Sequence, residues 1–156
     1  KSSSILEWRI KIVASFLIMM SVLGGVAHGQ QSAGKTPNDL APCPDSPNCV
    51  STKSNDPDRT LAPLPYLTSG RESMDRLVEI VRQMKRTTIV SATPSYLHVE
   101  FRSALFRFVD DVDIVVDSTA RVFRFRSARR VGESDLGVNR RRVERLAARL
   151  AKPATP

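Results

Sequence analysis

Four consecutive segments with strand-like alternation constrain the fold of this 156-residue chain more than any other feature. In the second segment, Leu97, Val99 and Phe101 occupy alternate positions, and a period of two places alternate side chains on one face of a strand. The segments cover residues 87–92, 96–102, 106–116 and 121–127. Strands joined by short links form an antiparallel meander with one covered face.

Helical periodicity flanks this run on both sides. Apolar residues recur at three- and four-residue spacing over residues 74–84, which predicts a helix with one buried stripe. Ser69 and Glu72 form a capping box before it. Residues 143–150 predict a last helix, with Asn139 as its N-cap. We therefore expect an α+β domain, ordered α-β-β-β-β-α, with both helices packed on one face of a meander of about four antiparallel strands.

A proline-rich arm precedes the first helix. Six prolines between residues 40 and 65 exclude a long helix or a central strand. Cys43 and Cys49 lie within this arm, and so close a pair is typical of a disulfide in an oxidising compartment. Free reactive thiols or half of a metal site are the alternatives. Zinc usually takes four protein ligands, so we expect no metal and no cofactor.

The N-terminal residues have the layout of a secretory signal peptide. Basic residues precede an uncharged apolar run at 12–23, and small residues at 27 and 29 fit cleavage before Gln30. A retained membrane anchor is the alternative, although a spanning helix needs about 20 apolar residues. The predicted division is a signal peptide at 1–29, a linker at 30–40, a single domain at 41–151 and a tail at 152–156. Export to the periplasm or cell envelope is expected.

Positive charge is concentrated at the C-terminal end. Residues 118–156 contain 11 Lys or Arg and 3 Asp or Glu, whereas residues 30–117 contain 10 and 12. Basic patches often bind nucleic acid, but an exported protein is not expected to meet it. An anionic lipid or another envelope polyanion is the expected partner, and a protein partner is an alternative. A solvated Arg-rich helix is the simpler interpretation.

The polar positions of the predicted strands carry charges of both signs. They are His98, Glu100, Arg102, Asp111, Asp113, Arg124 and Arg126. Opposite charges on neighbouring strands support each other, so this face is either a solvated surface of ion pairs or a polar groove. Asp110 and Asp111 are adjacent and must point to opposite faces. An inward Asp110 needs a partner, for which an Arg of the following loop is the candidate.

The Gly-, Ser- and Arg-containing loop at residues 126–139 is the best candidate for a binding site. It ends at a predicted helix N-terminus, where backbone N–H groups and the helix dipole favour an anion. The anion-binding candidates are Arg126, Ser127, Arg130, Asn139 and Arg142.

A structural bracket is the alternative for this loop. Asp110, Asp111 and Asp135 are its candidate acidic members, and Arg126 or Arg130 is expected to pair with Asp110 or Asp135. Arg129 and Arg141 are expected to face solvent.

Catalytic signatures are weak in this sequence. It contains neither G-x-S-x-G nor H-E-x-x-H, and His98 is a base only if a nucleophile and a carboxylate are positioned beside it. The sequence therefore favours a non-catalytic binding module that recognises an anionic ligand or a lipid surface. An enzyme acting on an anionic or polar envelope substrate, and a structural or assembly partner in the envelope, are the alternatives.

Three blocks carry a resemblance to a known family. CPDSPNCVS at 43–51, FRFVDD at 106–111 and the segment from Arg126-Ser127 to Val143 together resemble the domain-of-unknown-function family 1499 over roughly residues 41–150. The resemblance implies a single domain and an exported location, because the family occurs in bacterial envelope proteins and in plastid proteins. It implies no mechanism, because the family has no established biochemical activity.

Overall fold

The computed structural model describes residues 39–152. The predicted signal peptide, the linker before residue 39 and the last four residues lie outside this part of the chain. Within it, the elements in chain order are β1 (Cys49–Ser51), β2 (Leu64–Pro65), α1 (Gly70–Arg82), β3 (Thr87–Ala92), β4 (Tyr96–Arg102), β5 (Val109–Asp117), β6 (Val122–Arg129) and α2 (Val138–Leu150).

All of these strands join one antiparallel sheet in the order β1-β6-β5-β4-β3, and β2 also pairs with β6. The meander from β3 to β6 confirms the predicted topology. The two strands of the proline-rich arm were not predicted. Val50 pairs with Ser127, and a pairing between residues so far apart in the chain leaves no local periodicity.

Both helices pack on one side of the sheet, here called the inner face. Ser69 caps α1 by accepting a hydrogen bond from the Glu72 N–H, as predicted. The fully buried side chains of this core include Leu77 of α1, Phe123 of β6 and Leu146 of α2. Burying each such side chain stabilises the fold by about 1.5–3 kcal/mol. The predicted α+β arrangement is confirmed.

The strand limits differ from the sequence expectation at two places. β5 begins at Val109 rather than at Phe106, so Phe106 belongs to the preceding loop. β6 continues to Arg129, two residues beyond the predicted end. The extension matters because alternation then also assigns a face to Arg129.

The arm crosses the other side of the sheet, here called the outer face. The predicted disulfide between Cys43 and Cys49 is present. Leu40 is buried against Tyr96 and Val115, which places the start of the arm near the start of β4 and the end of β5. The arm thus covers part of the predicted polar face.

The two ends of the sheet have different characters. The β4–β5 loop (residues 103–108) and the β6–α2 loop (residues 130–137) leave the sheet at one end, here called the loop end, because Asp110 and Arg129 are paired there. The opposite end, here called the far end, holds Tyr66, Leu150 and a cavity of about 370 Å³ between them. None of the predicted site residues lines that cavity.

Candidate functional site

Strand alternation divides the predicted site residues between the two faces. Asp110, Ser127 and Arg129 point to the inner face, where the helices lie, and Ser127 and Asp110 are completely buried. Asp111 and Arg130 lie on the outer face, where they contact each other. The five anion-binding candidates therefore do not converge on one site.

Asp110 is held by two arginines. Its Oδ2 accepts a hydrogen bond from Arg142 Nη2 at 2.5 Å, and its Oδ1 accepts one from Arg129 Nε at 3.3 Å. Burial lowers the pKa of Arg142, against the opposing effect of the Asp110 carboxylate. The Arg142 guanidinium also lies 4.7 Å from the ring centroid of Phe101, a cation–π contact that compensates part of its lost hydration. This buried cluster holds α2 against the sheet.

The polar groups around Arg142 are paired with one another. Asn139 accepts hydrogen bonds from Ser127 and from Arg142, and it donates to the backbone carbonyl of Asn48 at 2.9 Å. Every buried side-chain nitrogen and oxygen in the described part of the chain has a partner. Ser127, Asn139 and both Nη atoms of Arg142 are therefore bonded within the chain rather than offered to a soluble anion.

The predicted N-cap of the last helix was wrong. α2 begins at Val138, so Asn139 is inside the helix with its side chain buried. Asp135 takes the capping role: its carboxylate accepts the N–H groups of Gly137 at 2.9 Å and Asn139 at 2.6 Å. A carboxylate of the chain itself thus occupies the position where an external anion was expected.

The predicted partners in the bracket were also wrong. Neither Arg126 nor Arg130 pairs with Asp110 or with Asp135. Arg129, which was expected to face solvent, fills this role beside Asp110. Arg141 is exposed, as predicted. The sequence prediction missed the inward position of Arg129 because the predicted strand stops at residue 127. Continued alternation would place Arg129 on the same face as Ser127.

A compact ion-pair network lies on the outer face. Arg130 donates two hydrogen bonds to Asp111, at 2.8 and 2.9 Å, and a third to Glu100. His98 Nε2 lies 2.8 Å from Asp111 Oδ1. Burial alone would raise the pKa of Asp111, but the hydrogen bonds from His98 and Arg130 outweigh it and hold that pKa well below its usual range. The face is an ion-paired surface at this point.

The arm closes the outer face beside this network. Tyr96 donates to Asp113 at 2.7 Å, and burial together with that bond raises the pKa of the Tyr96 phenol. Arg126 lies 3.8 Å from Asp113 and donates to the Pro42 carbonyl. The contacts of Arg126 are therefore made with a carboxylate and a backbone carbonyl of the chain itself.

The loop end exposes large apolar side chains that the sequence analysis did not single out. Leu105 and Phe106 in the β4–β5 loop are 79% and 70% exposed, and Leu136 in the β6–α2 loop is 82% exposed. Val131 is exposed as well. The sequence signal for this exposure was the FRF segment at residues 106–108. It was missed because the alternation around it predicts a strand rather than a loop.

Arg129 joins these two loops. Its guanidinium lies 5.0 Å from the ring centroid of Phe108, which is 5.6 Å from that of Phe106. The same guanidinium donates to the Ser134 carbonyl of the β6–α2 loop at 3.0 Å. The half-buried Arg129 thus contacts both loops, and their four exposed apolar side chains are here called the apolar tip (Leu105, Phe106, Val131 and Leu136).

Exposed basic side chains also lie at the loop end. The exposed ones at the loop end are Lys85, Arg86, Arg102, Arg107 and Arg141. The exposed acid of the two loops is Glu133. Arg86, Arg107 and Leu136 adopt left-handed backbone conformations, with φ of 59°, 55° and 53°. Such conformations are uncommon outside glycine and cost about 1–2 kcal/mol each, so the surrounding contacts must hold them in place.

Other site types find less support in the described residues. Within residues 39–152, no group of three or more His, Cys, Asp and Glu side chains is placed to hold a metal ion. Neither α1 nor α2 is long and apolar enough to cross a membrane. His98 and Asp111 lie on the outer face and Asp110 on the inner face, so these three cannot act on one substrate.

The comparison with known proteins gives a family without a described activity. The family model described as "protein of unknown function (DUF1499)" matches residues 39–150. No curated protein and no solved structure matches the chain. The matched range contains the whole sheet, both helices and the disulfide. The chain therefore belongs to the DUF1499 family of unknown function.

Proposed function

We propose that this domain is a non-catalytic binding module of the cell envelope that attaches to the surface of an anionic membrane through its loop end. The observation that carries the proposal is the apolar tip, where Leu105, Phe106 and Leu136 are largely exposed on two joined loops. Contiguous exposed apolar groups framed by polar ones mark interaction surfaces. The disulfide supports export.

The chemistry of the loop end fits a bilayer. Apolar side chains that enter the headgroup region gain about 1.5–3 kcal/mol each when fully buried. Basic residues close to an anionic surface gain about 1 kcal/mol each. Arg107 and Arg141 lie beside the apolar tip without a partner carboxylate among the described residues, so both effects act at the same place.

The proposed mode of recognition differs from a single anion pocket. Arg126, Arg130 and Arg142 are paired with carboxylates of the chain, and the α2 N-terminus is capped by Asp135. A membrane surface needs no enclosed site, because many weak contacts add up over its area. We therefore assign binding to the exposed basic residues and the apolar tip.

Vesicle co-sedimentation tests the proposal, with the chain lacking residues 1–29. We expect binding to vesicles that contain anionic lipid, weaker binding at high salt, and loss of binding in the double variant Phe106→Ser and Leu136→Ser. Leu67→Ser is the matched control, because Leu67 is 92% exposed at the far end. Equal binding to neutral vesicles would exclude an electrostatic contribution to binding. Unchanged binding of the double variant would exclude a role of the apolar tip in binding.

A further inference from the structure

β3 forms an open edge of the sheet. Among the described residues it pairs with β4 alone. The opposite edge is covered, because the Ser51 N–H of β1 donates to the Arg59 carbonyl and Ser51 also bridges to Thr60. Along β3, every second residue leaves its backbone N–H and C=O groups directed away from the sheet.

β3 lacks two of the features that commonly protect an edge strand, although it contains a third, a β-bulge. Natural edges are shielded by charged residues, especially lysine, or by proline. Thr87–Ala92 contains neither. Val90 lies at a bulge, where the register with β4 shifts between Ile89 and Ser91, and its side chain is 51% exposed. The edge therefore offers free backbone groups beside an exposed apolar side chain.

We propose that β3 binds an extended peptide segment of a partner protein, which adds a strand antiparallel to it. Strand addition takes its affinity from main-chain hydrogen bonds and its specificity from alternate side chains. The segment would be β-branched or apolar where it meets Val90 and acidic at its C-terminal end. The edge shares Lys85, Arg86 and Arg102 with the loop end but uses no side chain of the apolar tip, so the inference does not depend on the membrane proposal.

The charge at the two ends of β3 determines which end of the incoming antiparallel strand should be acidic. Lys85 and Arg86 immediately precede β3, and the Arg102 N–H donates to the Arg86 carbonyl at 2.9 Å. Three exposed basic side chains thus lie at the N-terminal end of the edge. The turn at residues 93–95 carries no charge. In an antiparallel pairing the C-terminal end of the added strand lies beside the basic group, and carboxylates there complement it.

The same charges argue against a second copy of this chain as the occupant. A symmetric antiparallel pairing of two β3 strands would bring the uncharged turn at residues 93–95 of one copy to the Lys85 and Arg86 of the other. No acidic residue lies between 87 and 99, so the basic group would remain uncompensated. A partner segment with carboxylates at its C-terminal end compensates the basic group and requires no charge beside the uncharged turn.

Two synthetic peptides test this edge by isothermal titration calorimetry with the chain lacking residues 1–29. One alternates threonine and valine over five residues and ends in two aspartates, and the other ends in two lysines. We expect the acidic peptide to bind about tenfold or more tightly than the basic one, a difference of about 1.4 kcal/mol. Hydrogen exchange should slow at the β3 amides with the acidic peptide alone.

Val90→Lys is the variant that decides the site, because a lysine is a natural protection of an edge. It should weaken the binding of the acidic peptide at least tenfold without moving the urea midpoint of unfolding. Leu67→Lys, at an exposed position away from the edge, should change neither the affinity nor the midpoint. Equal affinity of the two peptides, no binding by the acidic peptide, or equal binding to the Val90→Lys variant would overturn the proposal. A dimer in sedimentation that Val90→Lys abolishes would overturn it in favour of self-association.

Discussion

A single step along a strand decides the role of each charged residue. Asp110 and Asp111 are neighbours, yet the first is buried between α2 and the sheet while the second lies in the outer-face network. Arg129 and Arg130 are divided in the same way. Because alternation is strict, each Asp meets an Arg of its own face, and the two ion-pair systems remain separate.

Replacing Asp110 by alanine should strongly destabilise the domain. The change leaves Arg142 buried without its carboxylate, and breaking a buried pair on one side typically costs about 3–5 kcal/mol. Urea denaturation at neutral pH measures the change in the free energy of unfolding. Glu133→Ala, at an exposed position of the nearby loop, is the control and should stay within about 0.5 kcal/mol. Similar values for the two variants would contradict a structural role for Asp110.

Asp135→Ala should cost about 1 kcal/mol, the usual value for a lost cap. Two backbone N–H groups at the start of α2 lose their acceptor, and this effect does not depend on any bound ligand. A thermal melt without added anions is the measurement. Arg141→Ala is the control, because that side chain is exposed. A silent Asp135→Ala variant would show that the cap contributes little to stability.

At the scale of elements, β4, β5 and β6 share the outer-face network through cross-strand contacts. Asp111 on β5 accepts from His98 on β4 and from Arg130 just after β6. Because these partners hold the pKa of Asp111 down, the ionised carboxylate stabilises the folded state. The network therefore makes the cohesion of the three strands dependent on pH.

The sign of this dependence follows from the lowered pKa. The contribution of Asp111 is complete above its unfolded pKa of about 3.9 and disappears as the pH falls through the lower folded value. The free energy of unfolding of the Asp111→Asn variant should therefore lie below that of the wild type at neutral pH. Urea titrations from pH 7 downward should show this gap narrowing below about pH 4. A gap that widens in acid would contradict the ion-pair assignment.

Arg129 is the element-scale link between the β4–β5 and β6–α2 loops. Lysine keeps the charge but not the planar fork, so Arg129→Lys should loosen both loops while the core stays folded. We expect faster hydrogen exchange at residues 103–108 and vesicle binding about fivefold weaker, because looser loops add about 1 kcal/mol of ordering cost. Arg141→Lys is the control. Unchanged exchange would show that Arg129 does not order the apolar tip.

At the scale of the whole molecule, the sequence predicts the parts of the fold that have local signals. The alternation of residues 96–102 and the stripe of residues 74–84 correspond to β4 and α1. β1 and β2 were missed, because their pairing with β6 is non-local and proline obscures any alternation.

The candidate site was less predictable for a related reason. Alternation correctly separated Asp110 from Asp111, but the partner of Asp110 comes from α2, and nothing in the sequence says which arginine of that helix reaches the sheet. The exposure of Leu136 and Phe106 depends on loop geometry. The sequence alone does not distinguish apolar residues of an exposed loop from core residues, because the difference depends on where the loop lies in the structure.

The disulfide should stabilise the whole domain modestly. Closing so short a loop is worth about 2 kcal/mol in the chain-entropy model. The double variant Cys43→Ser and Cys49→Ser should lower the free energy of unfolding by about that amount in urea titrations. Adding reductant to the wild type should reproduce the effect and leave the variant unchanged. An effect of reductant on the variant would point to a cause other than this bond.

The arm enters the domain and α2 leaves it at the same end of the sheet, as Leu40 beside Tyr96 and Leu150 beside Tyr66 show. Attachment of the domain to a sensor surface, a bead or a fluorescent reporter through the exposed Asp39 or Lys152 side chain therefore has a defined orientation. In each case the far end is held, and Phe106 and Leu136 are presented to the solution. Samples immobilised through these two positions should be interchangeable for work on the loops.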